Sequence, residues 1–134
     1  MKALQSYGIP FNSKYLVYGD FMFDSGQRAA NLLLDQAPEI TAIFSASDEM
    51  AVAAISVASS RGIKVPEDLS VIGYDNIKLA EMIIPPLTTV HQPLNKMGKM
   101  ACEKLIYMIR TGEVAKSTIA AHSIVERQSV AQLK

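Results

Sequence analysis

Several features that mark common protein classes are scarce in these 134 residues. Cys102 is the only cysteine, which excludes an internal disulfide and a zinc site built from several thiolates. Lysine plus arginine number 13, aspartate plus glutamate also number 13, and the formal net charge is zero. Because phosphate contacts require a basic excess, this balance argues against nucleic-acid binding by these residues alone.

Long apolar runs and targeting signals are also missing. No apolar run approaches the roughly 20 residues of a membrane-spanning helix. The first residues lack the basic, apolar and small-residue order of a signal peptide. We therefore expect a cytoplasmic protein without membrane contacts. The length and the hydrophobic share of 49% fit one folded domain and argue against disorder.

The motifs of common enzymes and metal sites are absent from the sequence. It has no nucleophile elbow, Walker loop or glycine-rich dinucleotide fingerprint. His91 and His122 lie far apart and have no carboxylate or cysteine at ligand spacing, so we expect no metal and no cofactor. Cys102 falls within a helical pattern, where a buried small apolar residue is expected. We expect no enzymatic activity.

Glycine and proline divide the chain into alternating strands and helices. Strands are predicted at residues 15–18, 42–44, 69–74, 87–91 and 119–126. Helices are predicted at residues 24–36, 49–61, 77–82 and 94–111. The run at 42–44 is apolar throughout, which is typical of a strand buried on both faces. This order predicts an α/β fold with three layers, α/β/α, and a mostly parallel sheet.

Side chains at two helix starts can accept hydrogen bonds from free backbone N–H groups. Asp24 or Ser25 is the expected N-cap of the first long helix, and Ser47 or Asp48 that of the second. We expect these caps to define where both helices begin.

Polar residues and one aromatic residue follow the predicted strands. They are Asp20, Phe21, Ser47, Asp48, Asp75, Asn76 and Gln92. Because ligands bind beyond the carboxyl ends of strands in open α/β sheets, we expect a site at this edge. Carboxylates and amides there could hold hydroxyl groups, and the aromatic ring could pack on a sugar or a base.

These residues also have purely structural interpretations. The two polar residues before the second helix could only cap it, and Asp75 with Asn76 could only form a turn. Phe21 could belong to the core, and the aspartate before it could fix the turn at the preceding glycine. Gln92 could be an exposed loop residue. The residue types alone leave these alternatives open.

A series of short motifs runs through nearly the whole chain in a fixed order. The motifs are YGDF with SG at 18–26, TAIF with SDEMA at 41–51, VPEDLSVIGYD at 65–75, PPLTTV with QP at 85–93, MG at 97–98 and VERQS at 125–129. Together they resemble the effector-binding core of LacI-type (LacI/GalR family) transcriptional regulators. The resemblance implies a periplasmic-binding-protein-like type I lobe. Residues 1–91 would form the C-terminal lobe and residues 92–134 the terminal helix and returning strand, with the DNA-binding headpiece and the N-terminal lobe outside these residues.

The resemblance also implies roles for individual residues. Phe21 matches the aromatic residue that stacks on effector, and Asp75 matches the carboxylate that bonds effector hydroxyls or ring nitrogens. Gln92 lies at the hinge crossing, where family members contact ligand. Ser47 stands where the family usually has asparagine, so one hydroxyl replaces an amide. With Asp48, these are the predicted effector-binding residues.

The function that follows is the sensing of a small-molecule effector, a sugar or related metabolite, without catalysis. Ligand would close two lobes and change the spacing of headpieces on operator DNA. The alternative is a lobe of a solute-binding protein of a sugar transport system, which shares the fold. The VPEDLSVIGYD and PPLTTV stretches and the lack of a signal peptide favour the regulator.

The helix predicted at 49–61 is apolar nearly all round, which is typical of a helix covered on two sides. We expect no other element of this chain to be free to cover it, so the pattern predicts a homodimer. The predicted interface residues are Val52, Ile55, Leu79 and Ile83. The alternative is that other helices of the same lobe cover both sides.

Overall fold

The computed structural model describes residues 2–132. Its elements in chain order are α1 (Lys2–Ser6), a 3-10 helix (Ser13–Tyr15), α2 (Phe23–Gln36), β1 (Ala42–Phe44), α3 (Asp48–Ser60), β2 (Ser70–Asp75), α4 (Leu79–Met82), β3 (Thr88–His91), α5 (Leu94–Thr111) and β4 (Ser123–Val125). The strands form one sheet in the order β1-β2-β3-β4. The predicted α/β class is confirmed.

The sheet is mostly parallel, as the alternation of elements predicts. β1 pairs with β2 and β2 with β3 in parallel, whereas β4 runs antiparallel to β3. Because the first three strands run the same way, their carboxyl ends lie at one edge of the sheet. Asp75 and His91 are paired there at the ends of β2 and β3.

Local chemistry accounts for the bounds of α3. The hydroxyl of Ser47 accepts a hydrogen bond from the Met50 N–H at 3.2 Å, which confirms the predicted cap. At the other end Arg61 is the C-cap, and Gly62 takes a left-handed conformation with φ of +72°. Glycine adopts that conformation without the cost that a side chain adds, so the helix ends where the sequence predicts.

The start of α2 differs from the prediction. The helix begins at Phe23 with Met22 as N-cap, and no side chain caps it. The Ser25 hydroxyl instead accepts from the Asp20 N–H at 3.1 Å and donates to the Met22 carbonyl at 2.9 Å. Asp24 lies in the first turn, where a negative charge favours the helix dipole.

The core lies where α3 packs between α2, the sheet and α4. An added Cβ on Gly26 of α2 would lie 2.7 Å from the Met50 Cα, so glycine permits the close approach of the two helices. Ala51, Ile55 and Ala58 are buried in one cluster with residues of the strands. The expectation that α3 lacks cover within its own chain is therefore wrong, because its neighbours already enclose most of its apolar surface.

β1 is not buried on both faces, contrary to the prediction. Ile43 points into the core, whereas the neighbouring Phe44 is 66% exposed. The Phe44 ring meets the Tyr74 ring edge to face, with centroids 6.4 Å apart. The apolar run at 42–44 therefore contains one buried residue, Ile43, and an exposed phenylalanine that packs on an aromatic residue of β2.

The segment predicted as a strand at residues 15–18 does not join the sheet. Its first residue ends the 3-10 helix, and Leu16 is extended with φ of −121° and ψ of 119°. A cavity of about 400 Å³ lies between this segment and β1, with residues of α2 and α3 also lining it. Since a strand requires a neighbouring backbone at hydrogen-bonding distance, the extended segment remains unpaired across this gap.

The last helix and strand also differ from expectation in how they pack. α5 ends at Gly112, with φ of +73°, as predicted. The helix buries none of its residues, and Cys102 is exposed rather than buried. β4 is shorter than predicted because its pairing extends only along the last three residues of β3. The apolar stripe of α5 is therefore uncovered within the described part of the chain.

None of the helices within residues 2–132 is both long enough and apolar enough to cross a bilayer.

Candidate functional site

Asp75 and Gln92, two of the predicted site residues, meet at the carboxyl edge of the sheet. The Gln92 Nε2 donates to the Asp75 Oδ1 at 2.6 Å. Both side chains are half-buried, so part of their polar surface still faces solvent. The pair joins the ends of β2 and β3 and offers a carboxylate oxygen and an amide oxygen to a ligand.

The turn that carries Asp75 has an unusual backbone. Asp75 has φ of 114° and Asn76 has φ of 60°, both in the region that side chains seldom adopt. Such residues cost of order 1–3 kcal/mol each and persist where the surroundings determine the conformation. Strained backbone of this kind is common at ligand sites, which favours a ligand-binding role for this turn over a purely structural one.

Asp48 lies behind that turn and not at the surface. It has no exposed area, its Oδ1 accepts from the Thr89 hydroxyl at 2.5 Å and its Oδ2 accepts from the Ile77 N–H at 2.8 Å. Burial raises the pKa of Asp48, against the opposing effect of these hydrogen bonds. Both oxygens are occupied inside the protein, so Asp48 supports the chain after Asp75.

Gly73 makes room for this buried carboxylate. An added Cβ there would lie 2.3 Å from the Asp48 Oδ1 and 2.8 Å from the Leu87 Cδ2. No side chain fits at this position without moving Asp48, so Gly73 leaves the space in which the Asp48 carboxylate holds the turn.

Phe21 and Ser47 form a second group near the start of α3. The Ser47 hydroxyl is buried and donates to the Phe21 carbonyl at 2.8 Å while it caps the helix. Phe21 has φ of 71°, and the residue is 61% exposed, so it does not belong to the core. Ser47 therefore holds the backbone of Phe21, and its own donor is not free for a ligand.

Asp20 has a local structural role. Its Oδ1 accepts from the Met22 N–H at 3.1 Å, in an Asx turn that precedes α2. Hydrogen bonding with Ser25, followed by that with Met22, lowers the pKa of Asp20. This agrees with the interpretation in which the aspartate fixes the turn beside Gly19.

Arg127 and His91 both meet the Asn76 side chain at the turn, and the sequence alone assigns neither of them a role there. The Arg127 Nη2 donates to the Asn76 Oδ1 at 2.8 Å, and the Asn76 Nδ2 lies 3.2 Å from the His91 Nδ1. The sequence places Asn76 among the candidate residues at this edge, with a simple turn as its alternative, whereas it offers His91 only as a metal ligand without partners. The available signal for Arg127 was its place in the VERQS motif.

The predicted interface residues are covered to different degrees. Ile55 is only 6% exposed within one chain, so it offers a partner almost no surface. Val52 and Ile83 are half-buried and pack against the core, while Leu79 is 36% exposed. The more exposed apolar residue on this side is Ile84, at 92%.

The edge therefore presents a carboxylate, an amide and an exposed aromatic ring on supported backbone. Among residues 2–132, no three histidine, cysteine, aspartate or glutamate side chains are grouped so as to hold a metal ion. Hydrogen bonding to hydroxyl groups and stacking on a ring are the interactions that these side chains provide.

A family model and two curated relatives match nearly the whole chain. The family model described as "Periplasmic binding protein-like domain" matches residues 1–130. The chain is 42% identical to the HTH-type transcriptional repressor PurR of Photorhabdus laumondii over 131 residues, which are 97% of this chain and 38% of that protein. It is also 42% identical to PurR of Erwinia tasmaniensis, over 98% of this chain and 39% of that protein.

Solved structures are similar in both sequence and fold. The transcriptional regulator CelR in complex with cellobiose has a TM-score of 0.89 and 39% identity, over 96% of this chain and 39% of that one. A LacI family transcriptional regulator from Enterococcus faecium with bound ribose has a TM-score of 0.85 and 33% identity, over 99% of this chain and 49% of that one.

The chain thus spans about two fifths of the length of the PurR repressors that it matches. The match covers the motifs from residue 18 to residue 129, and the resemblance drawn from the sequence is confirmed. The chain belongs to the periplasmic binding protein-like domain family and, within it, to the LacI type.

Proposed function

We propose that this chain is the effector-sensing and dimerisation portion of a LacI-type transcriptional regulator. The observation that carries the proposal is the Asp75–Gln92 pair at the carboxyl edge of the sheet, beside a strained turn whose support is buried. The chain binds and does not catalyse. Operator DNA is contacted through a headpiece outside these residues, so the regulator acts in the cytoplasm.

The effector is a small polyhydroxylated molecule, a sugar or a related metabolite. A carboxylate and an amide side by side can hold adjacent hydroxyl groups, and the exposed Phe21 ring can cover the apolar face of a sugar. Similar regulators were solved with cellobiose and with ribose, which supports this class of ligand.

Ser47 and Asp48 take part indirectly in this proposal. Ser47 holds the Phe21 carbonyl, and Asp48 holds the Ile77 N–H after the turn. Both side chains thereby define where the ligand-contacting groups point. The mechanism is a shift in population between open and closed arrangements of two lobes, driven by the ligand's higher affinity for one of them.

The transport alternative has the same fold, and fold alone does not separate the two functions. The similar proteins named above are transcriptional repressors and regulators, and the motif series is that of LacI-type regulators. These observations favour gene regulation over solute transport.

Calorimetric titration of the complete protein with cellobiose, ribose and adenine tests the proposal. We expect one of the sugars to bind. Asp75→Ala should lower its affinity about tenfold or more, because each ligand hydroxyl that loses its partner costs about 1–3 kcal/mol of binding free energy. Asp35→Ala is the matched control, since Asp35 pairs with Arg61 on the surface at 2.6 Å. Binding of adenine alone would exclude a sugar effector, and unchanged affinity in Asp75→Ala would reduce Asp75 to a turn residue.

We also propose that the protein is a homodimer through α4 and the residues that follow it. Met82 is 70% exposed and Ile84 is 92% exposed, in the same stretch as Leu79, and α4 packs against α3, which carries the half-buried Val52. A group of neighbouring exposed apolar residues of this kind is typical of an interaction site. In a twofold interface, these residues lie near the same residues of the second protomer.

Sedimentation of variants tests this placement. Ile84→Asp should yield monomer at tens of micromolar protein, because like charges would be brought together in the interface. Ile119→Asp is the control, since Ile119 is 90% exposed on a different segment. A dimer that persists in Ile84→Asp would place the interface elsewhere.

A further inference from the structure

The segment after β4 is bound across the sheet by a buried serine. The Ser129 hydroxyl has no exposed area, donates to the Val71 carbonyl at 2.5 Å and accepts from the Thr88 N–H at 2.9 Å. The Val71 N–H donates in turn to the Ser129 carbonyl at 2.8 Å. These bonds join β2 and β3 through the tail, so the tail residues have a fixed position on the sheet.

Arg127 is held on this fixed segment. Its backbone N–H donates to the Thr88 Oγ1 at 2.9 Å, and its Nη1 donates to the Leu87 carbonyl at 2.7 Å. The side chain is only 13% exposed, and its Nη2 lies 3.3 Å from the Glu81 Oε1. The guanidinium therefore has one position, with Nη2 directed at Asn76.

This contact determines the orientation of the Asn76 amide. A guanidinium only donates hydrogen bonds, so the oxygen of the amide must face Arg127, at 2.8 Å. The amide nitrogen then faces the His91 Nδ1, at 3.2 Å, and it also only donates. The His91 Nδ1 must therefore accept, which places the ring hydrogen on Nε2.

Asn76 is also one of the two residues in the turn with positive φ. Its backbone follows Asp75, whose carboxylate meets Gln92. The conformation of the turn is unfavourable by itself, so the side-chain bonds from outside the turn maintain it. Arg127 supplies one of those bonds from a residue 51 positions away in the sequence.

We propose that Arg127 is a positioning residue for the effector-binding turn: it orients the Asn76 amide between itself and His91 and so fixes where the Asp75 carboxylate points. The proposal rests on the proposed function for its link to effector. The orientation itself is independent of any ligand. The hydrogen bonds of Arg127 within residues 2–132 go to Thr88, Leu87, Asn76 and Glu81 and not to Asp75 or Gln92, so its effect on the Asp75 carboxylate passes through Asn76.

The ligand-independent part is tested by the imidazole 15N shifts of the complete protein. These 134 residues contain two histidines, His91 and the exposed His122, which lies on another segment and serves as an internal reference. We expect His91 to show one tautomer with the hydrogen on Nε2. Arg127→Met removes the guanidinium donors, so the Asn76 amide can flip and His91 should show a mixture of tautomers. Arg127→Lys should keep the single tautomer, since an ammonium group also only donates.

A second variant keeps this test decisive if Arg127→Met fails to fold. Asn76→Asp presents an acceptor to both neighbours, so His91 must then carry a hydrogen on Nδ1. The control is Gln128→Met, the exposed neighbour of Arg127 on the same tail. A wild-type His91 with its hydrogen on Nδ1, or an unchanged tautomer in both Arg127→Met and Asn76→Asp, would overturn the proposal.

The link to effector is tested by titrating the same variants with cellobiose and ribose. We expect Arg127→Met to weaken binding at least about fivefold, with Arg127→Lys recovering most of the loss and Gln128→Met unchanged. If Arg127→Met alters the tautomer but not the affinity, the positioning role for effector is wrong. If neither sugar binds the wild type, the proposed sugar function fails, while the tautomer result still decides what Arg127 does to the turn.

Discussion

Removing the carboxylate of Asp48 should destabilise the fold around the turn that follows β2. The side chain has no exposed area and accepts from the Thr89 hydroxyl at 2.5 Å and the Ile77 N–H at 2.8 Å. In Asp48→Ala both donors lose their partner, at about 1–3 kcal/mol each. Relief of the buried charge offsets part of this loss. We expect the free energy of unfolding to fall by about 2–4 kcal/mol.

Asp48→Asn separates the shape of the side chain from its charge. Its amide oxygen can accept from the Ile77 N–H while its nitrogen donates to the Thr89 hydroxyl, because a hydroxyl also accepts. The loss should therefore stay below about 1.5 kcal/mol. The asparagine at position 48 does not titrate, so the difference in stability between wild type and this variant gives the pH dependence that Asp48 contributes.

The pH dependence follows from the sign of the pKa shift. Burial raises the pKa of Asp48 above the ordinary value of 3.8, so the folded state favours the protonated carboxyl. The stabilising contribution of that proton is complete below the ordinary pKa and is lost as the pH rises through the raised one. The advantage of wild type over Asp48→Asn should therefore be largest in acid and shrink towards neutral pH.

Equilibrium urea unfolding followed by circular dichroism, at neutral pH and at a series of acid values, measures both effects. A loss below about 0.5 kcal/mol in Asp48→Ala would refute the reasoning that both oxygens hold buried donors. A difference between wild type and Asp48→Asn that grows with pH would refute the direction of the pKa shift.

Three other experiments have defined outcomes. Gly73→Ala should lower the free energy of unfolding in urea by about 1–3 kcal/mol, because its Cβ would lie 2.3 Å from the Asp48 Oδ1. Gly98→Ala is the control on α5: open space surrounds that position, so the free energy of unfolding should rise by about 0.5–1 kcal/mol. Phe21→Ala should weaken cellobiose or ribose binding about threefold to tenfold in calorimetry while Phe21→Tyr retains it, since the exposed ring supplies apolar contact; equal affinities would exclude stacking. These 134 residues alone should show no sequence-selective operator binding in a gel shift at moderate salt, because their net charge is zero.

Local chemistry within the sequence determined most of the secondary structure and the edge where the site lies. Ser47 caps α3 because its hydroxyl reaches an N–H three residues on, and Gly112 ends α5 because it tolerates a left-handed backbone. The order of strands and helices also determined a mostly parallel sheet. Since parallel strands end at one edge, Asp75 and Gln92 could be predicted to lie together.

Only the tertiary structure decided which of those residues face a ligand and which support the others. Asp48 depends on Thr89, 41 positions away, and Asn76 depends on Arg127, 51 positions away. Spacing along the chain carries no information about such pairs, because they form only when separate strands are brought side by side. The same holds for burial: Ile55 on α3 is buried in the core, whereas Cys102 on α5 is exposed, although both lie in apolar helical patterns. A periodic pattern specifies which face of a helix is apolar, and the packing of distant elements decides whether that face is covered.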